Sequence, residues 1–184
     1  MALTTELAFK AQLVIPEQRQ LFEYWVSRSH QGQLPSRRDI NPCDFPRLLP
    51  LISLIDVDIV HKRFRVRLAG TQLREHYGRD ITGVHLDEVD YGAKTDYWLS
   101  AFHRVAFDGR PAQGVVQGAG EHKEHLAQFW IKLPLSDDGK NVSMILSYDV
   151  FLPVSQAKTI AGQTHFNAGF SSAHVEGARI SGAH

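Results

Sequence analysis

The sequence predicts an α+β domain, and three observations carry that prediction. First, the stretch Arg63 to Gly83, RFRVRLAGTQLREHYGRDITG, begins with an error-free alternation. Arg63, Arg65 and Arg67 share one parity, and Phe64, Val66 and Leu68 share the other. Successive strand side chains point to opposite faces, so this is a strand with one wet face and one buried face. Second, the strand runs directly into short helical segments. Thr71 can cap a helix through Leu73 and Tyr77, and Gly78 and Gly83 punctuate the chain beyond it. A strand feeding short, glycine-broken helices suggests a small sheet with a helical wall, an architecture that often encloses a pocket. Third, the remaining patterns give one more strand before the wall and three after it.

Pro16 suits the first turn of a helix, and Leu21, Phe22, Trp25 and Val26 then form one apolar stripe. This helix is expected to end near His30 to Gly32. Residues 33 to 47, with Pro35, Pro42 and Pro46, read as an irregular connector holding at most a short helical turn. Leu51 to Asp58 is apolar on both parities, as in a central strand covered on both sides. The wall runs from Thr71 to about Phe107. Its last helix, Ala93 to Phe107, repeats Trp98, Ala101, Phe102 and Val105 at three and four residues. Strands are then expected over Ala112 to Gly118, Lys123 to Leu135 and Val142 to Phe151, with a tight turn at Ser136 to Gly139.

The motifs that link these elements resemble a known family. Leu34-Pro35-Ser36-Arg37-Arg38-Asp39-Ile40-Asn41-Pro42 is followed by Phe45-Pro46-Arg47-Leu48-Leu49-Pro50, by Arg67-Leu68-Ala69-Gly70-Thr71 and by Gly78-Arg79-Asp80-Ile81-Thr82-Gly83. Over roughly residues 15 to 152 the chain resembles the single-domain PAS-like proteins common in alphaproteobacteria. The resemblance implies a PAS fold: a five-stranded antiparallel sheet, a helical wall on one face and the N-terminal helix on the other. It implies little about ligand or output, because one fold serves many roles. The expected division is a flanking helix in 1–32, the PAS-like domain in 33–152 and a tail in 153–184. The tail is rich in Gly, Ala, Ser and His and is expected to be disordered after 162.

Composition narrows the function. The chain has 184 residues, 43% of them hydrophobic, with 20 basic and 20 acidic side chains. That balance gives no reason to expect a nucleic-acid partner. No leader and no membrane span are recognised, and a cytoplasmic setting is expected. The lone Cys43 excludes an internal disulfide and a multi-cysteine metal site.

The chemistry-bearing residues are expected to have structural roles. His122 and His125 are placed at a strand's start, where residues three apart face opposite ways, and no further ligand joins them. His103 lies in the long wall helix, from which some haem-binding PAS sensors draw an iron ligand. It borders the buried stripe, so a boundary histidine is preferred to haem, and no cofactor is assigned. Cys43 lacks a recognisable base, and no serine sits in a GxSxG frame. Gly114, Gly118 and Gly120 are taken as bulge or edge-strand glycines rather than a phosphate loop. The three strand arginines are read as a solvated face that blunts an edge, with an acidic partner as the alternative.

The strand 123–135 is expected to turn Ala127, Phe129, Ile131 and Leu133 to the wall and Trp130 to the outer face. The expected ligand pocket is therefore Phe64, Val66, Leu68, Trp98, Phe102, Val105, Phe129, Ile131 and Tyr148. The expected interaction surface is Leu21, Phe22, Trp25 and Trp130, paired within one chain or across a homodimer. The function expected is a non-enzymatic sensory or regulatory module that binds a small molecule or a protein and signals in trans. The alternatives are a constitutive interaction module with a filled core and no ligand, and a small metal-assisted enzyme built on His85, His103 and His122.

Overall fold

A computed structural model describes residues 2–30, 32–118 and 123–163. Two helices open the chain, α1 (Ala2–Gln12) and α2 (Pro16–Arg28). Pro16 takes the first helical position of α2, where its missing N–H costs nothing. The proline-rich connector holds three short 3-10 segments, Arg37–Asp39, Pro42–Asp44 and Pro46–Leu51. It is more regular than the sequence pattern suggests, because Pro42 and Pro46 take the first positions of two of these turns. Strands β1 (Ile52–Asp58) and β2 (Arg63–Ala69) come next, then the wall: α3 (Thr71–Tyr77), 3-10 turns at Leu86–Glu88 and Gly92–Lys94, and α4 (Thr95–Asp108). Strands β3 (Ala112–Gln117), β4 (Leu126–Leu135) and β5 (Met144–Pro153) complete the sheet, and α5 (Val154–Gln163) ends the described chain.

The sheet has five strands in the order β2-β1-β5-β4-β3, every neighbouring pair antiparallel. The wall lies on one face, here the inner one, and α2 on the outer one. Helix α3 starts at Gly70 rather than through a Thr71 side-chain cap, and Gly78 ends it in the left-handed conformation at φ 68°. Gly70 is needed for close approach: a Cβ there would stand 2.3 Å from the Leu49 and Pro50 carbonyl oxygens.

Two expectations about which way strand residues point are corrected. Along β2, Phe64 and Val66 face inward as expected, but the register shifts between Leu54 and Ile55 of β1, leaving Arg67 as an extra residue. The bulge reverses the alternation, so Ala69 is buried and Leu68 is 45% exposed. Along β4 the whole alternation is the reverse of the expected one. Trp130 faces the wall, whereas Phe129, Ile131 and Leu133 face outward, as does Tyr148 on β5. Both faces of β4 are buried, so polarity does not mark its wet side.

The outer face is covered by the chain's own α2. Leu21, Phe22 and Trp25 pack with Ile131, Leu133, Leu135, Leu146 and Tyr148. The Trp25 indole N–H donates to the Pro134 carbonyl at 2.9 Å. Helices α1 and α5 were not anticipated. Phe9 of α1 meets Phe22 at a 4.8 Å centroid distance, and Ala157 of α5 is fully buried beside Ala127 and Phe129. The expected disorder after 162 concerns residues that lie, from 164 on, outside the described residues, as do His122 and Gly120.

Candidate functional site in the inner face of the sheet

The inner parity of β4 carries Gln128, Trp130 and Lys132, and their cross-strand partners on β5 are Phe151, Asp149 and Ser147. Residues directly opposite share a face, so four polar side chains converge on the centre of the sheet beneath the wall. All four are buried, Lys132 to 1% exposure. They form one connected chain. The Lys132 ammonium donates to Ser147 Oγ at 3.1 Å, Ser147 Oγ donates to Asp149 Oδ2 at 3.0 Å, and Gln128 Nε2 donates to Asp149 Oδ1 at 2.8 Å.

Aromatic rings complete the surroundings of Lys132. Its ammonium lies 4.9 Å from the Trp98 ring centroid, 4.2 Å from Phe102 and 4.9 Å from Trp130. The electron-rich ring faces substitute for part of the lost water shell. Burial still pushes the Lys132 pKa down, and the Asp149 charge opposes that fall. Trp130 is held in place by its indole N–H, which donates to the Tyr97 hydroxyl at 2.9 Å. Its ring also explains Gly114 in the facing edge strand. A Cβ at Gly114 would come within 2.6 Å of Trp130 Cζ2, so that glycine makes room for the indole. No bulge is involved there.

A small cavity sits over this cluster, leaving about 20 Å³ for the centre of a water molecule. That is room for roughly one water. Its floor includes Gln128, Lys132, Asp149 and Ser53, and its roof includes Tyr77, Tyr91, Trp98 and Phe102. Burial raises the hydroxyl pKa of both Tyr77 and Tyr91 far above the ordinary value, so both stay neutral. Two polar atoms here are buried and have no partner: Trp98 Nε1, a donor, and Gln128 Oε1, an acceptor. Flipping the Gln128 amide is no remedy, because it would set a carbonyl oxygen against the Asp149 carboxylate.

Of the pocket residues expected from sequence, Val66, Trp98 and Phe102 line this cavity. Phe64 and Val105 belong to the same inner core without lining it. Leu68, Phe129, Ile131 and Tyr148 do not contribute. Of the expected interaction surface, Leu21, Phe22 and Trp25 are buried against the chain's own sheet, and Trp130 is inside. The sequence reading missed Gln128, Lys132, Ser147 and Asp149. The available signal was that Gln128 and Lys132 of β4 and Ser147 and Asp149 of β5 fall on one parity of the hairpin.

The other candidates have structural roles. His103 packs against Phe64 and Phe107, and burial lowers its pKa. His125 precedes β4, and its carbonyl accepts from Val154 N–H. Cys43 is exposed. Arg63 pairs with Asp87 and Glu88, Arg67 pairs with Asp56, and Arg65 donates to the Gly83 carbonyl. Among the described residues, no three His, Cys, Asp or Glu side chains converge as metal ligands, and no helix is long and apolar enough to cross a membrane.

A sheet in this strand order, with a helical wall over a buried inner face, defines the class. A family model described as "PAS domain" matches residues 14–148, and the chain belongs to that family. Among solved structures, the chain is similar to a crystal structure of the Rhodobacter sphaeroides LOV protein. The two are 13% identical with a TM-score of 0.46, over 71% of this chain and 86% of that one. No curated protein matches.

Proposed function

We propose that this protein is a non-enzymatic sensory or regulatory PAS module. It holds a small molecule over the Lys132–Ser147–Asp149–Gln128 cluster and passes the change in its wall to a protein partner in trans. One observation carries this reading: Trp98 Nε1 and Gln128 Oε1 belong to residues that line a cavity, and neither atom has a hydrogen-bond partner. A buried polar group left unpaired costs about 1–3 kcal/mol, which a bound molecule would recover. The site suits binding better than catalysis. Among the described residues its lining holds no histidine or cysteine, and the Ser147 hydroxyl already donates to Asp149.

The second reading is a constitutive interaction module with a filled core. The space of about 20 Å³ favours it, because one ordered water could occupy the site permanently. Native mass spectrometry of the full chain as purified separates the two. The sensory reading expects a stoichiometric bound molecule that denaturation releases. Bare protein, with and without added cell extract, would leave the filled-core module.

A further inference from the structure

The charge of the inner cluster restricts what can join it. Lys132 and Asp149 are linked through Ser147, with donor–acceptor distances of 3.1 and 3.0 Å. The Lys132 ammonium and the Asp149 carboxylate carry opposite charges that offset each other. Among the described residues these are the only lysine and aspartate in the lining, and no arginine, glutamate or histidine accompanies them. Burial keeps Tyr77 and Tyr91 uncharged. An incoming anion or cation would therefore lose its water without meeting an unbalanced opposite charge.

An apolar ligand fails for another reason. It would leave Trp98 Nε1 and Gln128 Oε1 as unpaired as they already are. The two vacant partners are complementary, since the indole N–H needs an acceptor and the amide oxygen needs a donor.

We propose that the inner cavity selects an uncharged molecule carrying both a hydrogen-bond acceptor and a donor, as a carboxamide does. Its acceptor meets Trp98 Nε1 and its donor meets Gln128 Oε1. This rests on the ligand-binding reading above and adds the chemical class. Water belongs to the same class, so a ligand wins only by filling more of the site. The roof can yield to do so. Leu86, in the short 3-10 turn Leu86–Glu88, and Tyr91, just ahead of the turn Gly92–Lys94, line it there, and such segments open at lower cost than the sheet.

The test uses three molecules of nearly one shape and different charge: acetamide, acetate and acetamidinium. Each is titrated into the full-length, nitrogen-15-labelled protein near neutral pH, and the tryptophan indole N–H signals are followed. Trp98→Phe and Trp130→Phe assign those signals. Acetamide is expected to shift the Trp98 signal saturably, while the Trp130 signal, already bonded to Tyr97, stays in place. Acetate and acetamidinium are expected to give no saturable shift. An equal or stronger response to either ion would overturn the uncharged class while leaving ligand binding intact. No response to acetamide also overturns it. In that case a co-purified ion seen by native mass spectrometry would keep the sensory reading, and bare protein would end both.

Discussion

The Lys132 ammonium has exchanged water for one oxygen acceptor, Ser147 Oγ, and three aromatic rings. Removing a charge from water costs several kcal/mol even after relaxation. A desolvated cation–π contact returns about 2 kcal/mol. The remainder must come from Asp149, reached through Ser147. Two substitutions separate these contributions. Lys132→Met alone leaves a buried carboxylate without its counter-charge and is expected to cost about 3–5 kcal/mol in urea unfolding. Adding Asp149→Leu removes the orphaned charge, so the double variant is expected to be more stable than the sum of the two single losses. Simple additivity would mean that the two charges do not interact.

The same residues show where the sequence was legible and where it was not. The β2 alternation was read correctly through Val66, and the α4 stripe of Trp98, Ala101, Phe102 and Val105 is buried as its spacing required. On β4 the reading assumed that Gln128 and Lys132 marked the solvent side. That assumption holds for a sheet with one wet face. Here α2 and the wall cover both faces, so the polar parity was the inner one. Leu68 was misplaced by the bulge at Arg67, which the alternating pattern does not encode.

At the level of elements, α2 was expected to cover the outer face, and it does so within its own chain. Its contact is not Trp130 but Ile131, Leu133 and Tyr148, one residue out of phase. A one-residue change of phase moves every side chain to the opposite face. Trp25→Ala is expected to lose about 3–5 kcal/mol through the cavity it leaves. It also removes the bond to the Pro134 carbonyl. Trp130 lies across the sheet, so its fluorescence in the folded variant should stay that of a buried indole. A shift of its emission toward that of exposed tryptophan would contradict this placement. The helices α1 and α5 were missed for another reason. Leu7 of α1 is 61% exposed, so α1 shows no strong apolar stripe, and the Val154, Ala157 and Ile160 stripe of α5 falls inside the segment 153–184 that the composition marks as a tail.

Across the whole molecule the two faces of the sheet are used differently. The outer face is an apolar seam closed by α2. The inner face combines aromatic residues with a buried polar chain. Burial raises the pKa of Tyr77, Tyr91, Tyr97 and Tyr148, the last two up to about 12. Each folded-state value lies above the ordinary tyrosine value of about 10. Their stabilising effect is therefore intact below pH about 10 and is lost as pH rises toward 12. The depressed pKa of Lys132 acts with the opposite sign. The unfolded chain holds that proton longer, so stability gains with pH up to the ordinary lysine value of about 10.4. Thermal melts should accordingly show no loss of stability from these groups on approaching pH 10, followed by a fall. Tyrosinate absorbance from these four should appear late, together with alkaline unfolding.

The inner face of this PAS domain is proposed as a binding site rather than a finished core, and intact mass, measured first under native and then under denaturing conditions, distinguishes the two. A binding site gives a mass difference of one small molecule per chain in the native protein. Gln128→Leu is expected to abolish that difference while the variant keeps a cooperative melt. Identical native and denatured masses, persisting after incubation with cell extract, would contradict the binding site.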